Sequence, residues 1–535
     1  MSRRPSTPPG CPLRAVVEEI LPAGEYPGLA RVLAPHRAAA LALLESTRLK
    51  QADSAALAAL LDKHFPARPG AVRRSFHEPP CAAPDETVAF HWANEHQILV
   101  PGASRGSGLG DLFLCPNLRT HLTALAPEGT AAQQLFRVFA DAEEGLLGLF
   151  HQLRRVTESR WYVSLDRVPS ALLPRVVAAE SQQEAWLRDH GVDAASMTPS
   201  ALAVAHPGLP VDTGVLDEQL ASELLSSLAP LDQCLDGLLL HADNLDALRL
   251  LAPHFEGRVR TVYIDPPFNT EDGRFLYRDA YERAVWLTFM ANRIDAALSL
   301  LASDGSFFAH IDYNEKEHLK LLLEARLAYI TEIIWRIGWI SGFKSRARKF
   351  IRNHETIYHF AKAPRPFFRK VYLPYPPGYV RRGSGKPAGK GIPLDDTWNC
   401  SEADPLASIQ IMSFSREKAG SQQLTQKNEN LLERMIEATS EPGDWVLDFF
   451  LGSGTTAATA QKMGRRWIGI EVGEAFDSFT LPRLKRVLYG DPYGISEKRG
   501  HPRGGIFRVV RLESFVEALE NAGAPPPPAF DPFAP

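Results

Sequence analysis

Cysteine is scarce in this chain, with five among 535 residues, and long apolar runs are missing altogether. Cys11, Cys81, Cys115, Cys234 and Cys400 show no paired spacing, which excludes a disulfide framework and predicts no metal site. No run approaches the length of a membrane span, and residues 1–10 lack the apolar core of a signal peptide. We therefore expect a cytoplasmic protein without a membrane partner.

The chain is too long for one core, and composition changes along it predict several parts. We expect a disordered N-terminus (1–15), a mixed, largely helical accessory domain of unknown role (16–230), a catalytic domain (231–485), a C-terminal extension (486–520) and a Pro-rich tail (521–535). Helical patterning at 38–44, 54–61 and 133–139 supports the second part. Residues 202–232 are interpreted as a linker with one short helix.

The tetrapeptide Asp265-Pro266-Pro267-Phe268 closes an apolar run that begins at Val259. It places a carboxylate and two stiff prolines where a buried strand meets a loop. Tandem prolines leave free carbonyls and form a rigid rim beside the carboxylate. Such a rim can accept both hydrogens of a planar amino group, and an aromatic side chain at the next position can stack on a base. A Pro-rich strand end without chemistry is equally consistent with the tetrapeptide alone.

A glycine-rich turn at 452–454 follows a second apolar strand that ends at Asp448. An alanine-rich helix comes next, then the strand 467–470 and Glu471, which lies 471 − 448 = 23 positions after Asp448. This series of strand, glycine turn, helix, strand and acid is typical of nucleotide-binding folds, in which the acid binds ribose hydroxyls. The two motifs together predict neighbouring sites for an amino acceptor and a nucleoside cofactor.

The order of these motifs resembles the permuted, beta-class DNA amino-methyltransferases, in particular the adenine-specific modification subunits of Type III restriction-modification systems. Further segments are similar to the same family: 241–248, 304–312, 353–362 and 425–429, so that the resemblance spans roughly 235–485. It implies an α/β fold with a Rossmann-like, doubly wound methyltransferase sheet. It also implies methyl transfer from S-adenosyl-L-methionine to a base that has left the helix.

The resemblance implies roles residue by residue. Asp265 and the Pro266 carbonyl bind the target amino group, Pro267 stiffens the loop and Phe268 stacks on the flipped base. The cofactor-binding residues are Asp243, Asn244, Asp448, Phe450, Gly452, Gly454, Thr455 and Glu471, joined by Lys427, whose neighbour Asn428 replaces the proline usual in the family. An aspartate at the first position of the tetrapeptide indicates adenine N6 rather than cytosine N4.

Basic residues are concentrated between Thr331 and Gly391, a stretch that contains 14 Lys or Arg and two acidic residues. The local charge is about +12, which leaves −4 − 12 = −16 for the remainder. Aromatic residues alternate with these cations, a mixture that suits phosphates and bases. We therefore interpret 331–420 as a double-stranded DNA-binding and target-recognition insertion, with the candidate DNA contacts Lys344, Arg346, Arg348, Lys349, Arg381 and Arg382.

Three other functions stay open on the sequence: an N4-cytosine DNA methyltransferase, an RNA or protein amide N-methyltransferase, and a non-catalytic DNA-binding partner. The leading Asp265 and the motif order favour the adenine enzyme over the first two. The intact tetrapeptide and glycine loop favour it over the third. A restriction subunit or a second copy of the chain is the expected protein partner.

Overall fold

The computed structural model describes residues 153–270, 283–337, 348–375, 378–380, 389–399, 426–500, 504–514 and 527–535, with isolated positions elsewhere. The predicted helices at 38–44, 54–61 and 133–139 therefore lie almost entirely outside the described residues. By contacts the chain divides into two compact units, one made of 1–155, 281–292 and 513–528, and the other of 156–280, 293–512 and 529–535. All of the elements that build the site described below belong to the second unit.

Thirteen strands and twelve α-helices are defined in the described residues. The strands are β1 (Val156–Ser164), β2 (Pro210–Asp212), β3 (Gly237–His241), β4 (Val259–Ile264), β5 (Leu301–Ile311), β6 (Ala328–Arg336), β7 (His354–Ala361), β8 (Tyr372–Leu373), β9 (Ile392–Pro393), β10 (Thr397–Trp398), β11 (Trp445–Asp448), β12 (Arg466–Glu471) and β13 (Ile506–Leu512). The helices are α1 (Leu173–Ala178), α2 (Glu180–His190), α3 (Pro199–Ala205), α4 (Glu218–Leu228), α5 (Leu231–Cys234), α6 (Asn244–Phe255), α7 (Arg283–Leu300), α8 (Lys316–Glu324), α9 (Glu429–Thr439), α10 (Thr455–Lys462), α11 (Leu481–Tyr489) and α12 (Ser496–Arg499).

One eleven-stranded sheet organises this unit, in the order β10-β6-β7-β5-β4-β11-β12-β3-β13-β1-β2. The six central strands from β5 to β13 are parallel. Most of their residues are buried rather than alternately exposed, as expected for strands that are covered on both faces. In β11, all four residues are buried. The predicted α/β class with a parallel methyltransferase-type sheet is confirmed.

The strand order explains how distant motifs meet. β11 and β12 follow β10 in the chain, yet they lie between β4 and β3. β11 therefore pairs in parallel with β4, with Leu447 opposite Val262. Since the carboxyl ends of neighbouring parallel strands share one edge of a sheet, the loops after β4 and β11 lie side by side there.

The sheet continues beyond the predicted limits of the catalytic domain. β1 and β2 precede residue 231 and β13 follows residue 485, and all three pair into the same sheet. The linker predicted at 202–232 is wrong, because this stretch contains the buried strand β2 and the helices α4 and α5. Its short, partly apolar segments gave no strong periodic signal. The remaining domain limits stay predictions.

The end of the Pro-rich tail packs against the second unit. Arg508 Nη1 donates to the carbonyls of Asp531 and Ala534, each at 2.8 Å, and the Phe533 ring lies 5.6 Å from that of Phe255. Arg508 is buried, which lowers the pKa of its guanidinium to about 10. The tail carbonyls therefore satisfy a buried cation. Within the described residues no helix is both long and apolar enough to cross a bilayer.

Candidate active site

The glycine loop after β11 is held by the buried carboxylate of Asp448. Its Oδ1 accepts a hydrogen bond from the Phe450 N–H at 2.9 Å, and its Oδ2 accepts one from Thr456 Oγ1 at 2.5 Å. Both donors lie within eight residues of the acid. This local network fixes the turn from strand to helix.

Glycine is required in this loop by the backbone itself. Gly452 has φ = 52° and Gly454 has φ = 82°, in the left-handed region that L residues with a Cβ rarely adopt. Of the described residues, the nearest that a Cβ placed on Gly452 would meet is Phe450, whose carbonyl oxygen lies 4.0 Å away. The loop therefore leaves open space beside its backbone, as a cradle for a ligand requires.

Glu471, at the end of β12, closes the other side of this cradle. Its Oε2 accepts from the Gly452 N–H and its Oε1 from the Gly473 N–H, both at 2.8 Å. Burial raises the pKa of this carboxyl above its ordinary value. The acid predicted to bind ribose thus also ties two loops together, and each oxygen keeps a second lone pair for a ligand.

The pKa of Asp448 is raised to about 7. Burial is the largest cause, the hydrogen bonds from Thr456 and Phe450 oppose it, and the negative charges of Asp265 and Glu471 add to it. Three carboxylates therefore converge at this edge of the sheet. Such a site favours a positively charged ligand.

Asp243 and Asn244, the predicted contacts to the cofactor's adenine, begin helix α6 after β3. Asp243 Oδ1 accepts from the Leu245 N–H at 2.9 Å, and its Oδ2 pairs with Arg293 Nη2 at 2.9 Å. Asn244 Nδ2 donates to the Phe449 carbonyl at 2.7 Å, and its Oδ1 accepts from Arg293 Nε. The two residues lie at the predicted edge, where these bonds link α6 to the glycine loop.

The acceptor loop after β4 carries Asp265 with its two oxygens in different surroundings. Oδ2 pairs with Lys427 Nζ at 2.7 Å. Oδ1 is buried and has no hydrogen-bond partner among the described residues. A buried carboxylate oxygen without a donor is costly, so this atom indicates a place for an N–H group of a ligand.

The turn that follows Phe268 positions this loop. Asn269 has φ = 58°, and its Nδ2 donates to Glu315 Oε1 at 2.9 Å. Asparagine tolerates the left-handed conformation better than most residues. The residue after the tetrapeptide therefore adopts a conformation that asparagine tolerates, and it is anchored to the segment after β5.

Lys427, predicted in the cofactor pocket, contacts both loops. Its ammonium pairs with Asp265 and lies 5.2 Å from the centroid of the Phe268 ring. Its backbone carbonyl accepts from Thr455 Oγ1, the first residue of α10, at 3.0 Å. Asn428, which replaces the usual proline, caps helix α9 through its side chain. The side chain of Lys427 thus belongs to the acceptor side of the site.

A buried chain of polar side chains beneath the acceptor loop was missed by the sequence analysis. Tyr263 Oη lies 3.0 Å from His310 Nδ1, and His310 Nε2 lies 2.8 Å from Glu355 Oε2. The His310 ring is 6.0 Å from that of Phe268. The sheet register explains this cluster, because Tyr263 is opposite Phe308, and His310 lies two residues further on the same face.

Glu355 in this chain has a pKa lowered to about 2. Burial alone would raise it, but the hydrogen bond with His310 and the positive charges of Lys427 and Arg352 outweigh that effect. Glu355 is therefore ionised at every physiological pH. Lys427 stabilises two carboxylates at once, Asp265 by contact and Glu355 through its field.

A second cluster missed from the sequence supports the glycine loop from behind. Arg483 Nη1 donates to Thr455 Oγ1 at 2.8 Å, and its Nη2 pairs with Glu429 at 2.9 Å. Lys462 pairs with Glu429 at 3.0 Å and with Asp491 at 2.6 Å. All four charged side chains are almost fully buried. Removing one member would leave a buried charge unpaired.

The candidate DNA contacts are only partly described. Arg348 and Lys349 are exposed and lie between β6 and β7, whereas Lys344, Arg346, Arg381 and Arg382 fall outside the described residues. β6 runs parallel to β5, and β7 antiparallel, so the β6–β7 connection lies at the same edge as Asp265. Residues 362–370 follow β7 at the opposite edge, where Arg369 pairs with Glu441.

Comparisons with known proteins agree with this geometry. Residues 259–478 match the model of a DNA methylase family, the N6/N4 methyltransferases. The chain carries an N6/N4 DNA methylase domain. The match includes both the acceptor loop and the glycine loop, with Glu471 near its end.

Two curated relatives resemble the chain over the methylase domain and beyond. A probable type III restriction-modification enzyme HindVI Mod subunit from Haemophilus influenzae is 25% identical over 413 residues, covering 54% of this chain and 55% of the relative. Type II methyltransferase M1.MboII from Moraxella bovis is 29% identical over 243 residues, covering 42% of this chain and 90% of the relative. The chain thus spans about half of the Mod subunit's length. The crystal structure of an M1.HpyAVI-SAM complex covers 46% of this chain and 99% of its own, with 19% identity and a TM-score of 0.31.

Proposed function

We propose that the chain is a site-specific DNA methyltransferase that methylates the N6 amino group of adenine, with S-adenosyl-L-methionine as the cofactor. The observation that carries the proposal is a buried Asp265 Oδ1 that has no hydrogen-bond partner among the described residues, next to an open glycine loop on the neighbouring strand. The similarity to DNA methylases supports the substrate class. The leading aspartate of the tetrapeptide supports adenine.

The residues present fit the cofactor. Gly452 leaves open space beside the backbone, and Asp448, whose charged neighbours are acids, suits a cation. When bound, S-adenosyl-L-methionine supplies a methyl group that is already activated on a sulfonium. We assign the cofactor contacts to Asp448, Phe450, the two loop glycines and Thr455, with Glu471, Asp243 and Asn244 at the neighbouring strand ends.

The acceptor loop performs the positioning. Asp265 Oδ1 and the Pro266 carbonyl accept the two N–H bonds of the exocyclic amine, which favours a nitrogen whose lone pair is directed away from the ring. Phe268 stacks on the base, and Lys427 keeps Oδ2 occupied so that Oδ1 faces the amine. Catalysis of this kind depends on alignment and charge rather than on a covalent intermediate.

The biological setting is the second part of the proposal. Because the chain resembles a type III Mod subunit, we place it as the modification component of a restriction-modification or related defence system in the cytoplasm. Double-stranded DNA is its substrate. A restriction subunit or a second copy of the chain is the protein partner that we expect.

Transfer of a tritiated methyl group to unmodified plasmid DNA tests the activity. The DNA is hydrolysed to deoxynucleosides, and we expect the label in N6-methyl-2′-deoxyadenosine. Asp265→Ala should lower transfer at least about 1,000-fold, since it removes the acceptor of the amine, while the cofactor Kd changes little. Asp295→Ala removes an exposed carboxylate from α7 and serves as the control.

The same experiment separates the alternatives. Label in N4-methylcytosine would overturn the choice of adenine and keep the activity. Absence of label from every duplex, with the cofactor still bound, would overturn the activity itself.

A further inference from the structure

Phe350 is the most exposed large apolar side chain in the described residues, with a relative exposure of 103%. It lies in the connection between β6 and β7, and its neighbours Arg348 and Lys349 are exposed too. A fully solvated phenylalanine between cations gains nothing for folding. Its exposure therefore points to a partner that binds both an aromatic ring and positive charge.

The fold places Phe350 at the edge that carries the acceptor loop. Ile337, at the end of β6, donates its N–H to the Asn353 carbonyl at 2.9 Å, so the two ends of the connection are joined there. The acceptor loop reaches the same region, because Asn269 donates to Glu315, just after β5. The segment after β5 is thus contacted by the acceptor loop and also by Arg352, which belongs to the connection.

A rigid platform lies between them. The Arg352 guanidinium stacks over the Tyr313 ring, with its carbon 3.4 Å from the ring centroid, and its Nη2 lies 4.0 Å from Asp312 Oδ2. Tyr313 is 56% exposed, so the stacked pair forms a surface rather than a core. A guanidinium held in this way adds a positive charge two positions after Phe350 in the chain.

Duplex DNA is the partner that fits this surface. Its phosphates match the net positive charge of about +12 over residues 331–391, and its base stack can accept an apolar wedge. Removing a paired base from a duplex costs a few kcal/mol, and a side chain that fills the vacated stack offsets part of that cost. A basic edge next to a base-binding loop needs such a side chain.

We propose that Phe350 enters the DNA stack when the target base leaves it, with Arg348 and Lys349 on the flanking phosphates and the Tyr313–Arg352 pair as the supporting platform. This inference rests on the proposed function and adds the residue that opens the duplex. Phe350 acts on base extrusion, whereas Asp265 and Phe268 act on the extruded base.

The test compares Phe350→Ala with Phe368→Ala. Phe368 is also a well-exposed phenylalanine, at 56%, and is flanked by Arg369 and Lys370 in the same basic region. It lies at the opposite edge of the sheet, where the Arg369 N–H donates to the Ala438 carbonyl at 2.7 Å. The two residues therefore share residue type and adjacent cations, and they lie at opposite edges of the sheet.

The methylated sequence is first read from plasmid DNA modified by the wild-type protein. A duplex with this sequence then carries 2-aminopurine at the target position, whose fluorescence rises when the base is extruded. We expect Phe350→Ala to reduce the fluorescence increase on the matched duplex roughly tenfold or more, because the cost of unstacking is a few kcal/mol. A mismatch opposite the target lowers that cost and should restore the response to within about twofold of wild type.

Each outcome decides between readings. Phe368→Ala should behave as wild type, and both variants should bind S-adenosyl-L-methionine normally. A normal fluorescence response of Phe350→Ala on the matched duplex overturns the wedge. The sedimentation coefficient of this variant is measured as well. If it differs from that of the wild type while the fluorescence response is normal, Phe350 contacts a second copy of the chain instead. Failure of the wild-type protein to methylate any DNA is a separate result that removes the proposed function.

Discussion

The cofactor half and the acceptor half of the site treat their buried carboxylates in opposite ways. In the cofactor half, burial and two neighbouring acids raise the pKa of Asp448 to about 7. In the acceptor half, the pKa of Glu355 falls to about 2 although it is also buried, because His310, Lys427 and Arg352 lie nearby. Burial is common to both, so the difference is the presence of cations.

This difference indicates what each half still needs. The acceptor half brings its own positive charges, and within the described part of the chain one oxygen of Asp265 has no donor, as suits a neutral amine. The cofactor half gathers acids around an open glycine loop, as suits a ligand that brings positive charge itself. Lys427 joins the halves through its ammonium and its carbonyl.

The largest expected effect is that of Asp448→Asn, which tests the cofactor half of the site. We expect the Kd for S-adenosyl-L-methionine to rise roughly 100-fold at pH 8, as for loss of a buried charge partner worth about 3 kcal/mol. Wild-type affinity should increase from pH 6 to pH 8, because the carboxyl with a pKa of about 7 ionises over this range. Calorimetric titration measures both effects, and an equal pH slope in the variant would contradict the assignment.

Lys427→Met should have the second-largest effect. We expect it to lower kcat roughly 10- to 100-fold, as for loss of a positioning charge worth about 2 kcal/mol. Since its ammonium faces Asp265, the Kd for the cofactor should change less than about threefold. Methyl-transfer rates and cofactor titrations measure the two quantities, with Lys498→Met, an exposed lysine outside the basic stretch, as a control. A large change in Kd with kcat intact would return Lys427 to the cofactor pocket predicted from the sequence.

Glu355→Gln should reduce the free energy of unfolding by an amount on the order of 1–3 kcal/mol at pH 7. The folded pKa of Glu355 is depressed, so its contribution is complete above the unfolded value near 4.5 and is lost as the pH falls toward about 2. Urea unfolding at pH 7 and pH 3 should thus show a smaller gap between wild type and variant at pH 3. A gap of the same size at both pH values would mean that Glu355 is not held as a charged pair.

For Asp448, whose folded pKa is raised, the sign is opposite: its ionisation costs stability as the pH rises from about 4 to about 7.

Asn269→Ala and Asn269→Gly should have the smallest effects and test the geometry of the acceptor loop. Both remove the hydrogen bond to Glu315, but only alanine is strained at φ = 58°. We therefore expect alanine to cost about 1 kcal/mol more than glycine. Thermal unfolding of both variants measures the difference, and equal midpoints would show that the turn relaxes.

Local motifs were predictable from the sequence because their contacts lie close together in the chain. A stretch of nine residues contains Asp448, Phe450 and Thr456, and the glycines between them predict the turn. The tetrapeptide and Glu471 likewise stand at the ends of apolar runs that read as strands. The α/β class and the family resemblance followed from these segments, and both are confirmed.

Other features could not be predicted, since they depend on pairing between distant residues. Tyr263, His310 and Glu355 lie on three strands, and nothing in their individual segments shows that the strands adjoin. The same holds for Lys427, whose partner Asp265 is 162 positions away. The pairing of β1 and β13 with the catalytic strands was missed for this reason, and the domain limits predicted at 231 and 485 cut across that sheet.

The sequence by itself determined the chemistry of the two loops: an acid with two prolines for the acceptor, and a glycine turn between two acids for the cofactor. Residue type and short spacing set those properties, because the acid and the prolines of one loop, and the acid and the glycines of the other, are near neighbours in the chain. Only the tertiary structure decided that β11 inserts beside β4, that Lys427 pairs with Asp265, and that Phe350 lies at the catalytic edge while Phe368 lies at the other. These features depend on strand order, since the carboxyl ends of neighbouring parallel strands lie at one edge of the sheet whatever the distance between the strands along the chain.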